Sequence, residues 1–310
     1  MKDEIINSSE TPSNPYTTLI VERRSPKPTK PESEDATFAR GSVLVVADGV
    51  SRNFYDKDVP SSPAAKASRS VTQVLGSVLQ SAPQDEPITR EMFQRAFTLA
   101  NESVQTVNAS EEYDNDGTKT TLWENPDFFK RDLAGAVASA VVRRGNKVDY
   151  GFIGDCRIFA LSPTGQVVWE ALTPQTNKVS QAKEVFDSPS VKQLPPKDDP
   201  NYPSDRIKYI QRVHQEYRNN PGADHPTYGV LTGQPEAVDD QYLVTGSFEC
   251  EPDTVIVLSS DGLDNYFSEE EFRNLVAHGT QEEIADFIDN HPEIDKQLDD
   301  KALLISRRVQ

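Results

Sequence analysis

Three apolar runs in this chain end or begin on acidic residues: Asp48-Gly49 closes Ser42–Ala47, Asp261-Gly262 closes Thr254–Ser260, and Asp299-Asp300 precedes Lys301–Ser306. Short runs of Val, Ile and Leu bounded by turn residues read as buried strands. A carboxylate at such a boundary is expensive to desolvate unless something pairs with it, and neither Asp-Gly turn carries its own Lys or Arg. A hard cation resolves the problem, because Mg²⁺ and Mn²⁺ prefer oxygen ligands. In an Asp-Gly turn the strand directs the carboxylate, while the bare glycine lets a backbone carbonyl approach an ion. Two ions about 4 Å apart can hold a bridging water and orient a phosphoryl group for in-line displacement, so the expected chemistry is hydrolysis. Asp35 and Asp155 also neighbour strand-like runs, although spacing alone does not show that the five aspartates meet.

The elements that must position these residues follow from hydrophobic period. Strands are expected at 16–24, up to Asp48, at 133–142, 148–153, 157–161, 166–172, 241–245 and 254–259, and after Asp300. Helices are expected over 64–80, with Ala67, Val71, Val74, Leu75 and Val78 on one face, and from Thr89, with Met92, Phe93, Ala96, Phe97 and Ala100. Further helices are expected at 205–217, from Ser268 with Glu271 completing a capping box, and over 280–288. Residues 1–15 read as a flexible N-terminus and 108–130 as an irregular surface excursion. Residues 16–310 read as one domain carrying a flap or insert lobe at about 174–235. Strands cluster at both ends with helices between them, which favours antiparallel sheets packed with helices, an α+β class, over a doubly wound sheet.

Asp and Glu total 50 against 32 Lys and Arg, a net charge of −18. Such a surface repels nucleic acid and favours cationic partners or metal. Only Cys156 and Cys250 are present, far apart, which disfavours a disulfide framework or a thiolate zinc site and fits a reducing cytoplasm. No stretch approaches a membrane span or a signal sequence. His214, His225, His278 and His291 show no ligand spacing and read as surface residues, while Trp123 and Trp169 read as packing residues. Oligomeric state is not legible.

In order along the chain, Ser33-Glu-Asp-Ala36, Val45-Val-Ala-Asp-Gly-Val50, Phe152-Ile-Gly-Asp-Cys-Arg157, Leu258-Ser-Ser-Asp-Gly-Leu263 and Asp299-Asp-Lys-Ala-Leu-Leu304 resemble the motifs of the metal-dependent type 2C (PPM) serine/threonine protein phosphatases, over roughly residues 16–308. The resemblance implies a four-layer αββα sandwich of two antiparallel sheets flanked by helices, with two Mn²⁺ or Mg²⁺ ions in the cleft between the sheets. It implies hydrolysis of phosphoserine or phosphothreonine in a phosphorylated protein. By position, Asp48 would bridge both ions, the Gly49 carbonyl would hold one, and Asp261 and Asp299 the other. Glu34 and Asp35 would bind ligated waters, and Asp155 would contribute to a third, weaker metal position; the alternative at Asp155 is a turn residue paired with Arg157.

Three departures bear on activity. Val50 stands where many eukaryotic members carry a proposed general-acid His, an absence shared with many bacterial-type members. Lys30 stands where the family has a phosphate-binding Arg, supplying a point charge without a bidentate fork, with Arg23, Arg24 and Arg52 as possible substitutes. Ala134–Ser139 keeps the small residues of a family strand but not its Thr. These departures support a second expectation, a pseudophosphatase that binds phosphoproteins through the flap. In that flap Arg212 and Arg218 are the candidate substrate contacts.

Overall fold

The computed structural model describes residues 16–26, 32–50, 62–83, 86–115, 117–125, 132–295 and 298–308. Residues 1–15, Lys30 and Arg52 lie outside the described residues. The first sheet contains β1 (Tyr16–Arg23), β8 (Arg157–Leu161), β9 (Val167–Glu170), β11 (Val255–Ser259) and β12 (Lys301–Arg308) in the order β1-β12-β11-β8-β9. The second contains β2 (Asp35–Arg40), β3 (Val43–Gly49), β6 (Ala136–Arg144), β7 (Lys147–Ile153) and β10 (Val244–Glu249) in the order β10-β7-β6-β3-β2. Every pairing in both is antiparallel.

Side-chain alternation along these strands builds the layers. Leu44 and Val46 of β3 meet Ile158 and Ala160 of β8, Ile256 and Leu258 of β11, and Ala302 and Leu304 of β12 in a core between the sheets. Val43, Val45 and Ala47 face the other way, onto α1 (Pro63–Gln80) and α2 (Arg90–Ser110). Leu303 and Ile305 of β12 likewise turn outward onto α6 (Glu270–His278) and α7 (Gln281–Asn290). The result is the expected αββα sandwich, with central strands buried on both faces. Extending the β3 alternation places Asp48 on the face between the sheets, in step with Leu44 and Val46.

Several local expectations change. The polar stretch after α2 holds a hairpin of β4 (Glu112–Asn115) and β5 (Thr118–Thr121). Residues 174–235 form three helices, α3 (Lys178–Phe186), α4 (Pro189–Lys192) and α5 (Tyr202–Glu216), where the sequence suggested one. Ala182, Val213 and Tyr217 give them a small core of their own. The capping box forms at Thr280 and Glu283, at the start of α7; Ser268 is instead absorbed into a short 3₁₀ turn, Tyr266–Ser268. The strand expected at 241–245 runs from Val244 to Glu249, because pairing to β7 in the register Val244 to Phe152 sets its position. Cys156 is buried and Cys250 partly so, both as free thiols. Trp169 packs on Tyr150 and stacks on Phe248, with ring centroids 5.1 and 3.8 Å apart.

Candidate metal centre

The sandwich topology brings the acidic residues to one end. β3 ends at Gly49 opposite the first residue of β6, and β7, the next strand in that sheet, ends at Ile153. The chain then crosses to the other sheet through Gly154 and Asp155 to start β8 at Arg157, which pairs with Ser259 at the end of β11. Ser259 in turn pairs with Leu303, near the start of β12. Asp48, Asp155, Asp261 and Asp299 therefore sit on adjacent strand ends of two facing sheets.

Asp35 is the direct cross-strand partner of Asp48. Like charges opposite one another destabilise a sheet, and here burial adds the larger cost at both carboxyls. Burial pushes the Asp35 carboxyl up to about 8, contacts with Ser260 and Asp48 opposing and Asp300 and Asp261 adding to it. Asp48 is raised well above the carboxylate range by its enclosed position, then by Asp35, Asp261, Asp155 and Asp299. Asp155 is raised to about 7 by enclosure, then by Asp261 and Asp264. Arg157 turns away to Glu170 at 2.7 Å and Asp264 at 3.5 Å. Those contacts, rather than one to Asp155, account for its charge.

Glu34 is fully buried, receiving the Ser62 hydroxyl at 2.5 Å, and Ser62 also caps α1. Its backbone N–H donates to Asp300 Oδ2 at 2.9 Å, while Asp300 Oδ1 accepts from Ser25 N at 2.6 Å. Asp300 thus ties β12 to the chain entering β2. That tie crosses between the two sheets beside the cluster. The sequence marked Asp300 only as a neighbour of Asp299, since a carboxylate serving two backbone donors from distant segments has no local signature.

Among the described residues no three carboxylate, imidazole or thiol groups close into a ready-made ligand set. The donor chemistry nevertheless fits a hard divalent ion. All the converging groups are oxygens, they raise one another's affinity for positive charge, and Asp35 Oδ2 is buried without a hydrogen-bond partner. Gly49 lies so close to neighbouring backbone that an added Cβ would meet the Glu34 and Ala64 carbonyls at 2.6 and 2.7 Å. At Gly262 the Cβ would stand 2.0 Å from the Asp300 carbonyl. Gly262→Ala is therefore expected to push the Asp261 turn off the 299–300 segment. Overpacking of this kind destabilises by about 1–3 kcal/mol, and a ~1 Å misplacement costs roughly 100-fold in rate. Thermal melts and phosphate-release assays on this variant check both effects.

The flap candidates separate. Arg212 is exposed and bonded to Glu216 at 3.0 Å. Arg218 is buried, with Nη1 donating to Asp132 Oδ2 at 3.1 Å, so it is a structural cation and not a substrate contact. His214, expected on the surface, lies against the same oxygen, Asp132 Oδ2. These three side chains line a cavity of about 600 Å³ between α5 and the entry to β6. Asp132 is held near 2: burial alone would raise it, but Arg218 and then His214 pull it down. His214 is lowered by burial and then by Arg218, with Asp132 partly compensating. Arg23, an alternative phosphate contact, is occupied by Asp289 at 2.8 Å.

A family model described as protein phosphatase 2C matches residues 32–298. A search of curated proteins finds no significant match. Among solved structures, the catalytic domain of the serine/threonine protein phosphatase PstP in complex with two manganese ions is similar at a TM-score of 0.57 and 16% identity, covering 95% of this chain and 99% of that one. The Mycobacterium tuberculosis serine/threonine phosphatase PstP/Ppp is similar at 0.57 and 15%, covering 95% and 99%. Staphylococcus aureus serine/threonine phosphatase Stp1 is similar at 0.55 and 14%, covering 100% of both chains. At these identities the likeness is one of fold, and it agrees with the αββα layering found here. With most of its length matched by the family model, the chain belongs to the protein phosphatase 2C family.

Proposed function

We propose that the protein is a metal-dependent phosphoprotein phosphatase that hydrolyses phosphoserine and phosphothreonine, with Asp48, the Gly49 carbonyl, Asp261 and Asp299 holding two Mn²⁺ or Mg²⁺ ions. The observation that carries this reading is the opposed pair Asp35 and Asp48, crowded by Asp261, Asp155 and Asp299 at one end of the sandwich. Such a group is repulsive by itself and favourable around cations. When bound, the ions would supply Lewis-acid polarisation of the phosphoryl group and an activated water. Asp48 and Asp261 would hold that positive charge at the cleft, and Glu34 and Asp35 would offer acceptors to water bound there. Asp155, on the crossover between sheets, would contribute to a third and weaker ion. PstP, solved with two manganese ions, shares this fold and supports the choice of metal.

The competing reading is a pseudophosphatase that binds metal and phosphoprotein without turnover. Calorimetric titration with Mn²⁺, run beside a phosphoserine-peptide assay, distinguishes them. The proposal predicts two ions per chain, turnover that follows their binding, and loss of both in Asp261→Asn. Tight Mn²⁺ binding with no turnover of phosphopeptides or of an aryl phosphate would contradict it.

A further inference from the structure

We propose that Lys301, clamped to Asp295, is the positioning residue that sets the Asp299 carboxylate for its metal; the inference rests on the metal-centre reading above. Lys301 is only 5% exposed, and the residue directly opposite it on β1 is another cation, Arg23, whose own charge is taken by Asp289. A buried lysine is tolerated only when its charge and its donors are satisfied. Its ammonium ion-pairs with the buried Asp295 carboxylate and also donates to the backbone carbonyl of Asp299 at 2.9 Å. Asp295 completes a ring by accepting the Leu298 N–H on Oδ1 at 2.8 Å. One cation and one anion thus hold both ends of the segment that presents Asp299.

The segment needs holding. Leu298 has φ +53° and its side chain is 43% exposed, so a non-glycine residue occupies the left-handed region without burial to compensate it. Conformations of this kind are strained and persist only where the surroundings enforce them. The clamp is the enforcement next in sequence. It also reaches the second candidate ligand: the Lys301 side chain runs under the Asp261-Gly262 turn, its Cγ 3.3 Å from where a Gly262 Cβ would stand. By strand alternation Lys301 shares the outward face of Leu303 and Ile305, towards Tyr266, while Asp300 faces between the sheets. Lys301 therefore supports Asp261 and Asp299 from behind without entering the cleft. Asp295 cancels its charge, so the clamp adds little net repulsion to an incoming cation.

The test compares full-length wild type, Lys301→Met, Lys301→Arg and Asp295→Asn by Mn²⁺ calorimetry, Mn²⁺-dependent phosphate release and thermal melting in EDTA. Outer groups that orient metal ligands are worth about 10–100-fold in metal affinity. Lys301→Met is expected to bind Mn²⁺ weaker by that factor and to regain most of its maximal rate at saturating Mn²⁺, with Lys301→Arg closer to wild type. Asp295→Asn, which keeps side-chain shape, carries the comparison if Lys301→Met does not fold. A folded variant that binds Mn²⁺ within twofold of wild type overturns the role of Lys301 while leaving the metal centre in place. A wild type that binds no Mn²⁺ overturns the metal centre and this inference together.

Discussion

Replacing Asp48 with Ala is expected to reduce Mn²⁺-dependent phosphate release by at least about three orders of magnitude while leaving the fold intact. Asp48 is the one candidate ligand with a carboxylate directly opposite it across a strand pair, and it feels four other aspartates. If Asp48 holds the proposed ions, its loss would remove Lewis-acid stabilisation worth several kcal/mol, and each 1.36 kcal/mol is tenfold in rate. The same substitution removes from the metal-free protein a carboxyl that is costly to enclose, first through its burial and then through the field of Asp35, Asp261, Asp155 and Asp299. Stability in EDTA should therefore hold or rise as activity disappears, the pattern of a site that trades stability for function. Parallel melts in EDTA and assays in Mn²⁺ check the pair of outcomes. A fall in both would mean that Asp48 is structural.

Arg218→Met is expected to be the most destabilising of the substitutions considered, by about 3–5 kcal/mol, because it strands a buried carboxylate. Asp132 is enclosed, and its two oxygens are committed to Leu133 N–H at 2.8 Å and to Arg218. His214, which burial disfavours as a cation, stays beside it. At roughly 2 °C per kcal/mol for a chain of this size, the melting temperature should fall by about 6–10 °C. The pH dependence follows from the two shifts. Asp132 titrates at about 2 when folded against an ordinary value near 3.8. Its contribution is present above pH ~4 and lost as the pH falls towards 2. His214 is lowered in the folded protein, so unfolding takes up a proton below the ordinary imidazole value of 6.5 and stability is lost as the pH drops through it. Wild type should accordingly lose ground to His214→Asn between pH 7 and 5, a difference that denaturant titrations at the two pH values measure.

The layers were legible because strand alternation and helix period are local properties. Leu44 and Val46 separate from Val43 and Val45 by parity alone, and the end of each apolar run located the turn that carries an aspartate. That the five aspartates come to one end of the sandwich was not legible from parity. It depends on the crossover from β7 to β8, which joins the sheets at the end where β3 and β11 stop. The Asp132, His214 and Arg218 cluster was misread for a related reason. Long polar side chains at the end of an amphipathic helix look solvated, and Asp132 lies 86 residues from Arg218 in sequence. Lys301 was invisible as a clamp because a lysine after two aspartates looks like ordinary surface charge. The box expected at Ser268 failed because the 3₁₀ turn Tyr266–Ser268 buries Tyr266 and Phe267 and starts α6 two residues later.

Release of inorganic phosphate from a phosphoserine peptide by the wild-type chain, stripped with EDTA and then titrated with Mn²⁺, tests the central claim most directly. The carboxylate centre described here predicts negligible release in EDTA and recovery that saturates as two ions bind. Equal release with and without EDTA, or none at saturating Mn²⁺, would contradict it.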